Sequence, residues 1–273
     1  MALLTSLFSL TRNLRSIDMD FFASDRPDQN KIDADTLATQ DALQVLGPIK
    51  AWSFSTLTKF EECPYRVYLN KVEKKPEPSG SAADRGTAIH TMAEDYVQGF
   101  VGELPDELSK YAESFKQLRK DYEDGKVEVE GDWGFTQSWE PTGWAVPDTW
   151  ARIKLDAFVT ESETSGRAID HKTGKKWNNE LKHGAQLMTY AIASFMRFPK
   201  MEYIETELWY LDQNHGPTIQ AYTREQAMMF WPKLNKRALT MTSCTDFEPK
   251  PSRQNCKWCH YAKDGSCEWG VID

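Results

Sequence analysis

Apolar residues recur at helical spacing in several separate stretches of this chain, and between them the pattern changes to the alternation of strands. Leu3, Leu7, Leu10, Leu14 and Ile17 mark one face of an N-terminal amphipathic segment, with Arg12 and Arg15 on its polar side. The rest of 1–48 is acidic and polar without sustained periodicity, which predicts a loosely held arm. One folded domain is expected over 49–273. It opens with a helix capped by Ser53 or Ser55 and carrying Leu57, Phe60, Tyr65, Tyr68 and Leu69, after which Pro76, Pro78 and Gly80 interrupt the order. A second helix is predicted over 84–100. A third, over 105–124, places Leu108, Tyr111, Phe115, Leu118 and Tyr122 on one buried face.

From Val127 to Lys172 the pattern is β-like. The stretches 152–159 and 167–172 read as strands flanking a hairpin turn at 161–166. A helix follows over 181–198, then a strand over 203–211 with a hairpin partner over 218–222. Thr223 and Gln226 form a capping box for a last long helix, which Pro232 is expected to kink or break. Helices on both sides of a strand cluster imply an α/β layer fold around one core.

Composition changes this picture little. Hydrophobic residues are 40% of the 273 and charged residues 27%, and no apolar run approaches the roughly 18 residues of a membrane span. The net charge of −8 excludes a protein that coats nucleic acid non-specifically, because such binding needs many cation–phosphate contacts. A polyanionic substrate must then meet a local basic surface. Arg167, Lys172, Lys175, Lys176 and Lys182 supply one around Asp170, the plainer alternative being a solvated basic loop. Five cysteines, an odd number without a secretory signal, fit a reducing compartment rather than a disulfide framework. The expected location is the cytoplasm of a bacterial or phage-infected cell, with the mitochondrion as the alternative. The N-terminal segment reads as a helix docking a protein partner, a membrane-surface helix or a transit peptide.

The chemistry concentrates in a few positions. On a strand, side chains two apart point the same way, so Asp170 and Lys172 project together while His171 faces the other side. An antiparallel partner strand would bring Asp156 to the same sheet end, and His90 and Glu94, one helical turn apart, can lean over it. Singly, an Asp-x-Lys is most simply a surface pair and a helical His-x-x-x-Glu a solvated one. Their order carries more: a helix with His, a strand with Asp, a hairpin, a strand with Asp-x-Lys, then a helix with Gln186 and Tyr190 one turn apart.

That order resembles the RecB-like branch of the PD-(D/E)XK nucleases. Its motifs stand here as Gly86-Thr-Ala-Ile-His90-Thr-Met-Ala-Glu94, Lys154-Leu-Asp156, Ala168-Ile-Asp170-His-Lys172-Thr-Gly174 and Gln186-Leu-Met-Thr-Tyr190. The resemblance implies a restriction-endonuclease-like fold, a central mixed sheet flanked by helices. It implies metal ligation by His90, Asp156, Asp170 and the His171 carbonyl, with Lys172 positioning or activating the attacking water. Glu94 would hold a second metal or support His90, and Gln186 and Tyr190 would contact the substrate strand. The residue before Lys172 is a histidine where the family usually has an acid.

Cys256-Lys-Trp-Cys259 and Cys267 place three thiols close together, which suggests a metal. In RecB-like relatives such as AddB and the CRISPR-associated exonucleases, one upstream and three C-terminal cysteines hold a four-iron, four-sulfur cluster. The resemblance therefore adds Cys63, in Phe60-Glu-Glu-Cys63-Pro64, and implies a C-terminal iron-sulfur staple, zinc with His260 being the alternative. Trp133, Trp139, Trp144, Trp150 and Trp177 are either core or stacking platforms for bases; Trp177, beside Lys175 and Lys176, is the best placed of them to stack.

The implied activity is a metal-dependent DNA exonuclease acting on single strands or DNA ends, 5′ to 3′, in repair, recombination or phage replication. Magnesium or manganese would serve, manganese better because of a nitrogen ligand. A structure-specific endonuclease of the same fold, or an inert DNA-end binding module, are the alternatives. No Gly-x-x-x-x-Gly-Lys phosphate loop is present, so a stand-alone nuclease is expected.

Overall fold

Two short helices, α1 (Phe54–Glu62) and α2 (Pro64–Lys71), occupy the stretch where the spacing predicts one. Pro64 lacks the N–H that a continuing helix would need, so the chain stops at Cys63 and restarts with proline at the first position of α2. Ser53 caps α1, its side chain accepting from the Thr56 N–H. This computed structural model describes residues 43–174, 176, 179–214 and 216–272. The expected N-terminal helix, nearly all of the polar arm, Lys175 and Trp177 lie outside them.

Helix α3 (Ser81–Val97) is followed by a 3-10 turn at Asp106–Tyr111 and helix α4 (Ala112–Glu123). Then come β1 (Val127–Phe135), β2 (Pro141–Thr142), β3 (Ala151–Thr160) and β4 (Ser165–Lys172). Helix α5 (Glu180–Arg197) crosses over to β5 (Tyr203–Tyr210), which turns into β6 (Thr218–Thr223) and helix α6 (Arg224–Thr242). Short helices α7 (Arg253–Cys256) and α8 (His260–Lys263) end the described chain.

The strands form one six-stranded sheet in the order β2-β1-β3-β4-β5-β6. Every pairing is antiparallel except β4 with β5, which is parallel and requires the α5 crossover. Helices cover both faces, as the α/β expectation requires. On one face α1, α2, α5 and α6 contribute Leu57, Val67, Ile192 and Ala238 to the larger core; on the other, α3 and α4 contribute Ile89, Val97 and Phe115 to a second.

Two expectations are corrected and one open choice is decided. Of the kink or break expected at Pro232, helix α6 shows no break. A proline costs about 3 kcal/mol in a helix interior, but Ala227, Leu234, Ala238 and Met241 of α6 are buried along its length and hold both halves in the core. Of the two readings open for them, Trp133, Trp139 and Trp150 take the core one: each is at most 2% exposed. Their indole N–H groups are satisfied internally, by Glu128, Asn235 and Thr242 respectively. Arg167 does not belong to a substrate-facing basic surface either, since Glu161, Glu207 and Asp121 surround its guanidinium.

Candidate functional site

The pairing of β3 with β4 ends at Ala157 opposite Ile169, so the two strands part where Asp156 and Asp170 stand. Leu155 and Phe158 belong to the larger core, whereas Ala157 and Val159 belong to the second. Strict alternation would put Leu155 and Ala157 on one face. β3 therefore changes sides at Asp156. The matching position on β1 is Glu130, a non-glycine residue with φ of 50°, and the ladder resumes with Gly131 opposite Leu155. A left-handed residue on one strand opposite the slip on the other lets both twist together without losing register.

The parted strands expose a backbone donor, and Asp156 fills its need. The His171 N–H donates to Asp156 Oδ2, while Asp156 Oδ1 lies 2.8 Å from His90 Nδ1 on α3. The ring of His171 completes the group: ligand atoms of His90, Asp156 and His171 all lie within 4.8 Å of one another. The resemblance implies ligation through the His171 carbonyl; its ring adds a nitrogen donor to this grouping. Both ring nitrogens of His171 are buried without a hydrogen-bond partner among the described residues. Burial pushes the His171 imidazole toward its neutral, ligating form. His90 is also disfavoured as a cation by burial, but its hydrogen bond to Asp156 and that carboxylate's charge outweigh this and raise its pKa. For Asp156 burial acts upward, and the hydrogen bond from His90, the His90 charge and the His171 backbone N–H bring it below the usual carboxylate range. The unpartnered His171 ring, the His90 imidazole and the Asp156 carboxylate together make a donor set that suits a divalent cation with a taste for nitrogen.

On the α5 side of the same gap lies a second group. Lys172 Nζ is 2.6 Å from Asp170 Oδ2, a contact of opposite charges rather than an aligned hydrogen bond, and donates to Gln186 Oε1 at 2.9 Å. Tyr190 OH donates to Asp170 Oδ1 at 2.6 Å, and Gln186 Nε2 bonds both Asp170 Oδ1 and the Tyr190 oxygen. Burial, followed by the Asp170 charge, raises the Tyr190 phenol well above its usual value, so it stays a donor. Tyr190 is itself only 3% exposed. The expected face of Asp170 and Lys172 is thus present, with Gln186 and Tyr190 holding the carboxylate.

Helix α3 approaches this end closely. A Cβ on Gly86 would stand 3.3 Å from Thr173 Oγ1, so glycine permits the contact. Glu94 does not join His90 and Asp156; its oxygen accepts from Gln98, one turn along α3. Lys176 is held by Thr218 Oγ1 at 2.9 Å. Missed by the sequence reading is Glu130, which pairs with Lys154 at 2.6 Å and whose pKa is raised by burial and by the charges of Asp156 and Glu94. An acid in an apparently alternating edge sequence gave no signal of this. Cys63, Cys256, Cys259 and Cys267 line one small cavity where α2, α7 and α8 meet.

Residues 51–263 match the family model of the PD-(D/E)XK nuclease superfamily. The chain belongs to that superfamily. Its six-stranded mixed sheet flanked by helices is the restriction-endonuclease-like architecture of such nucleases, which usually employ magnesium or manganese. Comparison with curated proteins gives no match. Among solved structures, this superfamily member is similar to SSO0001, at 14% identity and TM-score 0.44, covering 93% of this chain and 97% of that one. It is similar to a candidate exonuclease from Eubacterium rectale at 12% identity and TM-score 0.48, covering 90% and 96%. The alkaline exonuclease LHK-Exo from Laribacter hongkongensis gives 11% identity and TM-score 0.38, covering 80% and 94%. No helix among the described residues of this nuclease-superfamily chain is long and apolar enough to cross a membrane.

Proposed function

We propose that the chain is a metal-dependent deoxyribonuclease of the RecB-like branch, an exonuclease acting 5′ to 3′ on single-stranded DNA or DNA ends. Repair, recombination or phage replication in the cytoplasm would use such an activity. The observation that carries the reading is the meeting of two groups at the β3–β4 gap: His90, Asp156 and the His171 ring on one side, Asp170 and Lys172 on the other.

The donor set fits magnesium or manganese, with two imidazoles favouring manganese. Bound there, the ion supplies a water of lowered pKa and charge neutralisation at the phosphate. The chain's own residues do the rest. Lys172 places a positive charge beside Asp170, where charge builds on the phosphoryl oxygens. Gln186 and Tyr190 fix the Asp170 carboxylate, and Glu94 is assigned to a second metal or to the support of His90. Lys175 and Trp177, with Lys176, are assigned to the substrate strand.

Cys63, Cys256, Cys259 and Cys267 are proposed to hold a four-iron, four-sulfur cluster. In support, all four line one cavity. His260, the alternative zinc ligand, pairs with Asp264 at 3.0 Å.

Digestion of end-labelled single-stranded DNA with manganese tests the reading, with Asp170→Ala and Lys172→Ala as controls. The wild type is expected to cut and both variants to be inactive. Variants that cut normally would defeat the assignment of the site, and digestion of circular single strands would replace exonuclease with endonuclease action.

A further inference from the structure

A groove of about 620 Å³ runs along β3 and the start of α1 and ends at Gln186 and Tyr190, the two side chains that hold Asp170. Lys50, Lys71, Lys74, Arg152 and Lys154 line it, and no carboxylate does. In a chain of net charge −8, that is a concentration of one sign where chance favours the other. Lys71, Lys74 and Arg152 form no ion pair among the described residues. Arg152 spends a donor on the Trp144 carbonyl and lies 5.9 Å over that indole. Burial, then the charges of Lys59, Lys74 and Arg152, lower the Lys71 pKa against the opposing charge of Glu77, so the cations of the groove repel one another. Trp144, half-buried on the groove wall with Arg152 over one of its faces, is the lining aromatic that is not buried, since Trp52, Phe54 and Tyr190 are at most 7% exposed.

Cations in a track with a partly exposed aromatic are what a single strand requires: phosphates follow the charges and a base stacks on the ring. A duplex keeps its bases stacked on each other and has no use for Trp144. We propose that this groove leads a single DNA strand to the Asp170–Lys172 face, its phosphates on Lys71, Lys74 and Arg152 and one base on Trp144. The assignment rests on the nuclease reading and names its substrate form.

Fluorescence anisotropy in EDTA, where nothing is cut, reads the groove by itself. The probe is a fluorescein-labelled oligothymidylate of about 16 nucleotides, the upper end of one such site, with a duplex of equal length beside it. Each phosphate contact adds about 0.7 to the slope of log affinity against log salt for single strands. Lys71→Ser with Lys74→Ser should therefore weaken binding and flatten the slope by about 1.4, and Trp144→Leu should cost about ten-fold in affinity with the slope unchanged. Lys116→Ser with Lys200→Ser, which removes the same charge outside the groove, should change neither. Unchanged affinity and slope in the groove variants overturns the proposal. So does an equal loss in the control, or a duplex that binds as tightly and loses as much. Cutting with manganese is read separately: a wild type that cuts nothing sinks the nuclease reading, while the anisotropy still decides the groove.

Discussion

The Tyr190 hydroxyl reaches Asp170 Oδ1 at 2.6 Å from within the core, while Lys172 holds the other oxygen of the same carboxylate. One partner is rigid and neutral, the other charged and partly exposed, so the carboxylate is oriented from one side and free to act toward the other. Tyr190→Phe removes the rigid partner. Hydrogen bonds to charged groups contribute about 1.5–3 kcal/mol, and the variant should lose stability of that order in urea titration. Its kcat should fall while KM stays near the wild-type value, because Tyr190 orients Asp170 rather than the strand. An unchanged kcat would remove Tyr190 from the site's support.

His90 bears on metal preference. Replacing it by His90→Gln exchanges a nitrogen donor for an oxygen at the same place beside Asp156. Activity with manganese should drop by about ten-fold or more, and activity with magnesium by less, so that the ratio of the two falls. A ratio that holds or rises would place the ion elsewhere.

His183 makes stability depend on pH. It lies against the Tyr210 hydroxyl at 2.6 Å, and burial, followed by the charge of Lys172, lowers its pKa to about 4. The unfolded chain therefore binds a proton between pH about 6.5 and about 4 that the folded chain refuses. Stability from this source is complete above the upper value and is lost as pH falls toward the lower one. His183→Gln should flatten the fall in melting temperature between pH 7 and pH 5, and a fall identical to the wild type's would assign it to other groups.

The thiol cavity predicts a coloured protein. Anaerobic purification should yield iron and sulfide in near-equal amounts, and Cys259→Ser should lose both. The melting temperature should drop with them, by about 2–4 °C for each kcal/mol in a domain of this size. Zinc without iron would overturn the cluster.

Much of this was legible because the signals were local. The Ser53 cap, the Thr223–Gln226 capping box and the strands β3 and β4 on either side of a hairpin turn each rest on neighbours in sequence, and each appears in the structure. The same-side projection of Asp170 and Lys172 follows from the pleat alone. What was hidden is long-range. Nothing near Pro232 says that both halves of its helix are anchored, and nothing near Trp133 or Trp150 says which indole N–H will find a buried acceptor. The His171 ring was read as facing away from Asp170, which it does. That this other face also holds His90 depends on how α3 packs, and Gly86 is its only local trace. The groove cations escaped notice because Lys50, Lys71 and Arg152 are far apart in the chain.

The switch of faces in β3 has a mechanical consequence. Leu155 is seated among the helices of one layer and Ala157 among those of the other, with Asp156 as the fulcrum between them. A change of side-chain volume in either layer, well away from the Asp156 oxygens, will tilt that carboxylate. The proposed cutting rate would thereby be tethered to the packing of both interiors at once.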